Sequence, residues 1–325
     1  MALKVMKGGM FTTIQDLGRV GGQSFGIPAG GAMDRFAAQL ANIILHNDPQ
    51  EAVIEMTMIG ATFLCEQHAV ISIFGAEMGA CLNGNALKHG KPIQMYKGDQ
   101  LTFGAAKQGV RCYIAVKGGF AIPTMFNSRS TYVQAKIGGN NGQALVPGDR
   151  LPIHCSTTIA PAPWKTSFQI EKYFRDNSKP IRFITGRQAD WFSNDARQSF
   201  CQEKYTIDPA SNRMGYRLSG WPIPFQHNRQ LITEGTAFGS IQIPPNGQPI
   251  ILMADRQPTG GYPKIGEVIQ HDLNRLSQMR PGDQVQFQEI SLEEAQNILL
   301  ADHRLLLKVK TACALKWRDL ANETN

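Results

Sequence analysis

Apolar and polar residues alternate in short runs along most of this chain. "AVISIFG" (69–75), "IQMY" (93–96), "QLTFG" (100–104) and "CYIAV" (112–116) lie in the first half, with "IRFITG" (181–186), "SIQIPP" (240–245), "PIILMA" (249–254) and "QVQFQEI" (284–290) in the second. Each is rich in β-formers and bounded by Gly, Pro, Asn or Asp, which predicts a strand. A mainly β protein follows. One launching device recurs: Gly98-Asp99 precedes "QLTF", Gly148-Asp149 precedes "RLPI" and Gly282-Asp283 precedes "QVQF". Gly-Asp turns are common, but three copies, two of them after Pro147 and Pro281, point to a shared architecture in the two halves.

Helical spacing is confined to few segments. Asp34 is placed to cap a helix carrying Phe36, Leu40, Ile43 and Ile44 on one face, which ends before Asp48-Pro49. The capping box Ser291-x-x-Glu294 opens a second helix running through Ala295, Ile298 and Leu299 toward the tail. Residues 264–278 read two ways, "KIGEVI" as a strand and "HDLNRLSQ" as a helical turn. The closing "KTACALKWRDLANETN" has no strand alternation and is expected to be dispensable for folding.

At 325 residues the chain exceeds what one core usually serves, so two domains are expected. The alternation lapses between about 155 and 180, where Pro, Ser and Thr gather. This places an N-terminal domain at 1–160, a linker at 161–180 and a C-terminal domain with a helical tail at 181–325. Apolar residues make up 42% of the chain without a membrane-length run, and the N-terminus has no secretory pattern, so a cytoplasmic protein without membrane partners is expected. Six cysteines without a CxxC pair and seven dispersed histidines argue for reduced thiols and against a metal site. The net charge is +7, but only 18% of residues are charged, and Lys308, Lys310, Lys316 and Arg318 read as a solvated face. No nucleic-acid partner is expected.

The familiar nucleotide motifs fail. "GNALKHGKP" (84–92) has the wrong glycine spacing and Pro92 where a magnesium-binding hydroxyl belongs, and "GGQSFG" (21–26) lacks Gly-x-Gly. What stands out instead is Arg beside Gly and small hydroxyl residues, in "FTTIQDLGRVGGQSFGIPAGGAMD" (11–34), "RCYIAVKGGF" (111–120), "NSRSTY" (127–132), "GGNNGQAL" (138–145), "SNRMGYRLSG" (211–220) and "ILMADRQPTGGYPKIG" (251–266). A guanidinium fork grips carboxylate or phosphate at two points, and glycines let backbone N–H groups join it. Arginines that merely bridge loops have the same signature.

In order and spacing, "TTIQDLGR", "GIPAGGAMD", "NSRSTY", "NRMGYRL", "EGTAFGSIQIPPNGQPIILMADRQPTGGYPKI" and "RPGDQVQF" resemble the biotin-dependent carboxyltransferase family, also called allophanate hydrolase subunit 2. The resemblance runs from about Thr12 to Ala295. It departs at Gln143, where the family usually has Arg. It implies two tandem cyclophilin-like β-barrel domains with a few short helices and a site between the halves. Carried over residue by residue, that site has Arg256, Asp255, Arg213 and Arg19 as catalytic candidates. Asp16, Arg129, Ser130, Thr131, Gly260, Gly261, Tyr262 and Lys264 would bind substrate or anion. Asp34 reads first as a helix cap and Glu55 as a core-edge residue.

The family resemblance implies the C subunit of an ATP-dependent 5-oxoprolinase. A homologue of the B subunit would join it in using ATP, with Mg2+ and a nucleotide site on or with that partner, to activate the lactam, and the A subunit would complete hydrolysis to glutamate. Two alternatives remain: carboxyl transfer from carboxybiotin to urea or a related small amide, with biotin carried elsewhere because this chain has no Met-Lys-Met segment, and a non-catalytic regulator that binds a kinase-inhibiting homologue of the B subunit.

Overall fold

The computed structural model describes residues 2–154, 179–224 and 231–323. The expected linker falls almost entirely outside them. The described residues form two compact units, one taking 2–20, 30–154 and 303–323, the other 21–29, 179–224 and 231–302.

In the first unit the chain forms β1 (Ala2–Lys7), β2 (Phe11–Gln15), β3 (Val53–Thr57), β4 (Thr62–Cys65), β5 (Ala69–Glu77), β6 (Cys81–Leu82), β7 (Asn85–Ala86), β8 (Ile93–Met95), β9 (Gln100–Thr102), β10 (Gln108–Val116) and β11 (Arg150–Pro152). They make two antiparallel sheets, ordered β11-β1-β4-β9-β6-β7 and β2-β3-β10-β5-β8. Side chains from both sheets, among them Leu3, Ile14, Ile54, Phe63, Ile71, Leu101, Cys112 and Leu151, meet in one core. "GNALKHGKP" begins in the β6–β7 hairpin turn, where Asn83 and Gly84 have the positive φ values (50° and 83°) that such a tight turn requires, so it is no phosphate loop.

The sheet containing β5 and β10 is buried on both faces, which explains why "AVISIFG" shows so little polar alternation. Its second face is covered by helix α1 (Arg35–Ile44), whose Phe36, Ala37, Leu40, Ala41 and Ile44 pack against Val53, Val70, Phe74, Tyr113 and Ala115. Asp34 caps α1 as expected, its side chain accepting from the Ala37 N–H at 2.9 Å.

The second unit has two further helices, α2 (Asn194–Gln202) and α3 (Gln270–Leu276), and the strands β12 (Ile181–Thr185), β13 (Lys204–Ile207), β14 (Gly215–Ser219), β15 (Glu234–Gly235), β16 (Ser240–Gln242), β17 (Ile250–Leu252), β18 (Thr259–Gly260), β19 (Lys264–Val268) and β20 (Gln284–Glu289). Seven of these close a barrel in the order β12-β19-β16-β17-β14-β13-β20, sealed by parallel pairing of β12 with β20. β15 and β18 form a separate two-stranded ribbon. Inside the barrel Phe200 of α2 stacks on Phe287, with ring centroids 4.4 Å apart, and Phe183 and Tyr205 pack at angles to the same pair. Both readings of 264–278 hold, as a strand followed by a helix.

The mainly β expectation holds, and all eight alternating runs contain strands. The three Gly-Asp turns are the same structure. Gly98, Gly148 and Gly282 have φ of 97°, 98° and 92°. In each turn the aspartate carboxylate accepts the backbone N–H three residues earlier, from Tyr96, Val146 and Arg280 at 2.7, 2.9 and 2.8 Å.

Two corrections concern the tail. Its helix α4 (Leu292–Glu323) is 32 residues long, not short, although its Ser291–Glu294 capping box forms as expected. Nor is it an idle appendage: Trp317 is 7% exposed within the α1 cluster, and its Nε1–H donates to the Ile44 carbonyl at 2.9 Å. Lys117 Nζ lies 4.5 Å from the Trp317 ring and donates to the Leu45 carbonyl at 2.7 Å. The end of α1 leaves carbonyls that its own turns cannot satisfy, and these two side chains satisfy them. Burial also pushes the Cys313 thiol of α4 up to about 11.

Candidate functional site

The candidate residues fall into one knot in each unit. In the first, β2 ends at Asp16, whose carboxylate is saturated from within the unit. Its Oδ1 accepts from Ser128 Oγ (2.7 Å), Ser130 Oγ (2.5 Å) and the Gly18 N–H (2.8 Å), and its Oδ2 accepts from the Arg129 N–H (2.6 Å). Arg19 is 1% exposed, and its Nη2 donates to the Ser130 carbonyl. Arg129 turns away from this centre: its Nε donates to the Ile122 carbonyl at 2.9 Å and its Nη1 lies 3.4 Å from Glu51. Thr131 bonds the Ile14 carbonyl through both its backbone N–H and its hydroxyl, each at 2.9 Å. The five expected residues are therefore brought together, and each has an internal partner.

A second buried network lies beside this knot. Glu55 Oε2 accepts from the Met33 N–H (2.9 Å) and from the Tyr113 hydroxyl (2.8 Å), which itself accepts from the Asp34 N–H (2.9 Å). Arg111 stands 3.8 Å from the same carboxylate. Burial, followed by the Glu55 charge, pushes the Tyr113 phenol well above its ordinary range and keeps it a donor. Glu55 thus holds the "GGAMD" segment in place, a larger part than that of a core-edge residue. In "GGNNGQAL", the departing residue Gln143 is exposed.

In the second unit β17 leads into a turn carrying Asp255 and Arg256. Asp255 forms a buried two-point ion pair with Arg213, Nε to Oδ2 at 2.8 Å and Nη2 to Oδ1 at 2.9 Å. Arg213, just ahead of β14, thus engages both oxygens of Asp255. Arg256 donates from Nε to the Thr236 carbonyl at 3.3 Å and from Nη1 to the Met253 carbonyl at 3.5 Å, and lies 6.0 Å from the Phe238 ring centroid.

Lys264 is buried at the start of β19. Its Nζ lies 2.7 Å from Glu234 Oε1 and donates to the Gly235 carbonyl at 2.8 Å. Gln188 donates to the same Glu234 oxygen at 2.9 Å and accepts the Lys264 backbone N–H at 3.2 Å. The hydrogen bond from Lys264 holds the Glu234 carboxyl below its ordinary range. Gly260 belongs to the ribbon β15–β18, paired with Glu234, while Gly261 is exposed and Tyr262 is 44% exposed. Gln188, Glu234 and Gln242 were not among the expected site residues. In "SIQIPP" alternation assigns Gln242 to solvent, yet it is 1% exposed. Among the described residues no group of three His, Cys, Asp or Glu side chains is placed to hold a metal ion.

A closed barrel, a second two-sheet unit and motif residues gathered into one polar knot in each describe a two-part carboxyltransferase-type protein. A family model described as "Carboxyltransferase domain, subdomain A and B" matches residues 25–289, and the chain belongs to that family. It is 36% identical over 293 residues to the 5-oxoprolinase C subunit of Escherichia coli, covering 90% of this chain and 93% of that one. To the 5-oxoprolinase C subunit of Haemophilus influenzae it is 37% identical over 289 residues, 87% of this chain and 89% of the relative. In structure it is similar to the Kluyveromyces lactis urea carboxylase, with a TM-score of 0.86 at 27% identity. That match covers 95% of this chain but only 29% of the larger one.

Proposed function

We propose that this chain is the C subunit of a 5-oxoprolinase. It would act with a homologue of the B subunit to activate the lactam of 5-oxoproline with ATP, and with an A subunit that completes ring opening to L-glutamate. The observation that carries the reading is the match in both directions: the two bacterial C-subunit relatives align over about nine-tenths of their own length and of this chain. The urea carboxylase likeness supports carboxyl transfer to urea as a second reading. It involves a chain more than three times as long, which makes it the weaker guide.

A lactam is a poor electrophile, so opening it requires charge stabilisation at its carbonyl oxygen. Lys264 and Arg256 are the cations that this unit offers beside the "PTGGYP" turn. Arg19, Arg129 and Arg213 each have partners within their own unit: the Ser130 carbonyl, the Ile122 carbonyl with Glu51, and Asp255. We place the nucleotide site on, or shared with, the B-subunit homologue.

The test is reconstitution. Co-expressed with its B and A partners, the chain should yield a complex that cleaves 5-oxoproline only when ATP is present. Arg256→Ala should lower that turnover on the order of 100-fold, and Arg256→Lys should restore part of it, because it keeps the charge but not the planar fork. Separate elution of the three proteins, or wild-type turnover in Arg256→Ala, would overturn the reading of complex and residue respectively.

A further inference from the structure

Gln242 carries a buried polar atom that the fold does not use. Its Nε2 has no hydrogen-bond partner and almost no accessible surface, although the residue sits on an otherwise regular barrel strand. A buried amide N–H without a partner is destabilising, because its desolvation is not offset. Leu or Met would fill the same space without that cost. The atom's surroundings are specific. Gln242 pairs with Lys264 across β16 and β19, at a point where the register slips after Ile241. Directly over it lies Gly260, where a Cβ would stand 2.6 Å from Gln242 Nε2. The carboxamide therefore points at the ribbon that carries the "TGG" turn, next to the Lys264–Glu234–Gln188 cluster.

The ribbon above it is slight. It consists of two residue pairs, Glu234↔Gly260 and Gly235↔Thr259, and two of its four residues are glycine. A ladder this short opens at low free-energy cost. Gly261, next in the chain, would meet nothing closer than Thr233 Oγ1 at 3.9 Å if it carried a Cβ.

We propose that Gln242 is the substrate-recognition residue for a small planar amide, donating its Nε2–H to the amide carbonyl oxygen when the β15–β18 ribbon lifts. A carboxamide presents a donor and an acceptor side by side, the pattern that complements the C=O and N–H edge of a lactam or of urea. Lys264, facing Gln242 across the strands, is held by Glu234 and the Gly235 carbonyl of the ribbon, so lifting the ribbon would release its ammonium toward the same carbonyl. The inference rests on the reading of the chain as part of an enzyme for a small amide, and its test separates it from the 5-oxoprolinase reading.

Gln242→Met keeps the volume and removes the donor. Binding of 5-oxoproline and of urea to the reconstituted complex is measured by calorimetry, and KM and kcat are measured alongside, for wild type and variant. The expected result is a Kd and KM about ten-fold higher for the amide in Gln242→Met, with a melting temperature equal to or above wild type, because an unsatisfied buried donor has been removed. A merely structural glutamine would not separate binding from stability in this direction. Amide affinity in Gln242→Met within two-fold of wild type overturns the proposal, as does a wild-type complex that binds neither probe. A complex that binds urea but not 5-oxoproline, with the binding lost in Gln242→Met, refutes the 5-oxoprolinase reading and supports this one.

Discussion

Trp317 gives the most direct test of how the first unit is held together. Its indole is buried against α1, and an aromatic ring of that size removes roughly 200 Å² from water, worth about 5 kcal/mol at 25 cal/mol per Å². The Nε1–H bond to Ile44 adds about 1 kcal/mol and the Lys117 contact about 0.5–1 kcal/mol. That sum is an upper bound, because the denatured chain already buries part of the ring. Trp317→Ala should therefore cost about 4 kcal/mol, within the range of about 3–5 kcal/mol for emptying a buried aromatic site.

Trp317→Phe isolates the hydrogen bond. It keeps most of the apolar area but leaves the Ile44 carbonyl unsatisfied, so about 1–2 kcal/mol should be lost. Urea unfolding followed by far-ultraviolet circular dichroism reads both, as a fall in midpoint at constant slope. A domain of this size loses roughly 2–4 °C of melting temperature per kcal/mol, so Trp317→Ala should shift the transition of the first unit by about 8–16 °C. With two units, two transitions can appear, and only one should move. Deleting residues 311–325 should do at least as much damage as Trp317→Ala. A truncated chain that melts like wild type, or a Trp317→Ala cost under about 1 kcal/mol, would refute the docking argument and return the tail to its expected dispensability.

Two further predictions concern the ion pair and the turns. Asp255→Asn strands the Arg213 guanidinium in a buried site and should cost about 3 kcal/mol, read by urea unfolding; wild-type stability would show that the pair is no structural tie. Gly98→Ala, Gly148→Ala and Gly282→Ala place a Cβ where no heavy atom lies within 4 Å, so only the positive φ is penalised. Each should lower stability by about 1–2 kcal/mol, the three by nearly equal amounts, and a several-fold spread in the three unfolding midpoints would contradict their equivalence.

The strands were legible because their physics is local: alternation, β-branched residues and Gly or Pro boundaries lie within each run. The α1 cap and the capping box of α4 were legible for the same reason. Helix α2 was not, since it buries only Ala196 and Phe200 among polar neighbours and offers almost no periodic stripe. Its existence depends on Phe200 entering a barrel built from strands distant in sequence. The docking of Trp317 was hidden likewise, because the carbonyl it satisfies lies 273 residues away. Sequence also could not show that Asp255 pairs with Arg213, 42 positions earlier. Membership of the family was legible, because long motifs carry it directly.

The arginine-glycine-hydroxyl clusters show why a correct motif need not mark an anion site. A buried guanidinium needs several oxygen acceptors, and the backbone supplies carbonyls only where it can come close. In the first unit Gly138 and Gly139 lie so near Arg19, Ser130 and Thr131 that a Cβ at either position would overlap them. There the glycines and hydroxyls serve the packing of Arg19 and the saturation of Asp16. In the second unit the Asp255–Arg213 pair is closed, but under Gly260 the glycine makes room for Gln242 without giving its Nε2 an acceptor. The buried Nε2 of Gln242 beside Gly260 is the feature of the second unit that packing leaves unexplained. On the proposed reading, recognition of the amide falls to the bed of Lys264, Glu234, Gln188 and Gln242.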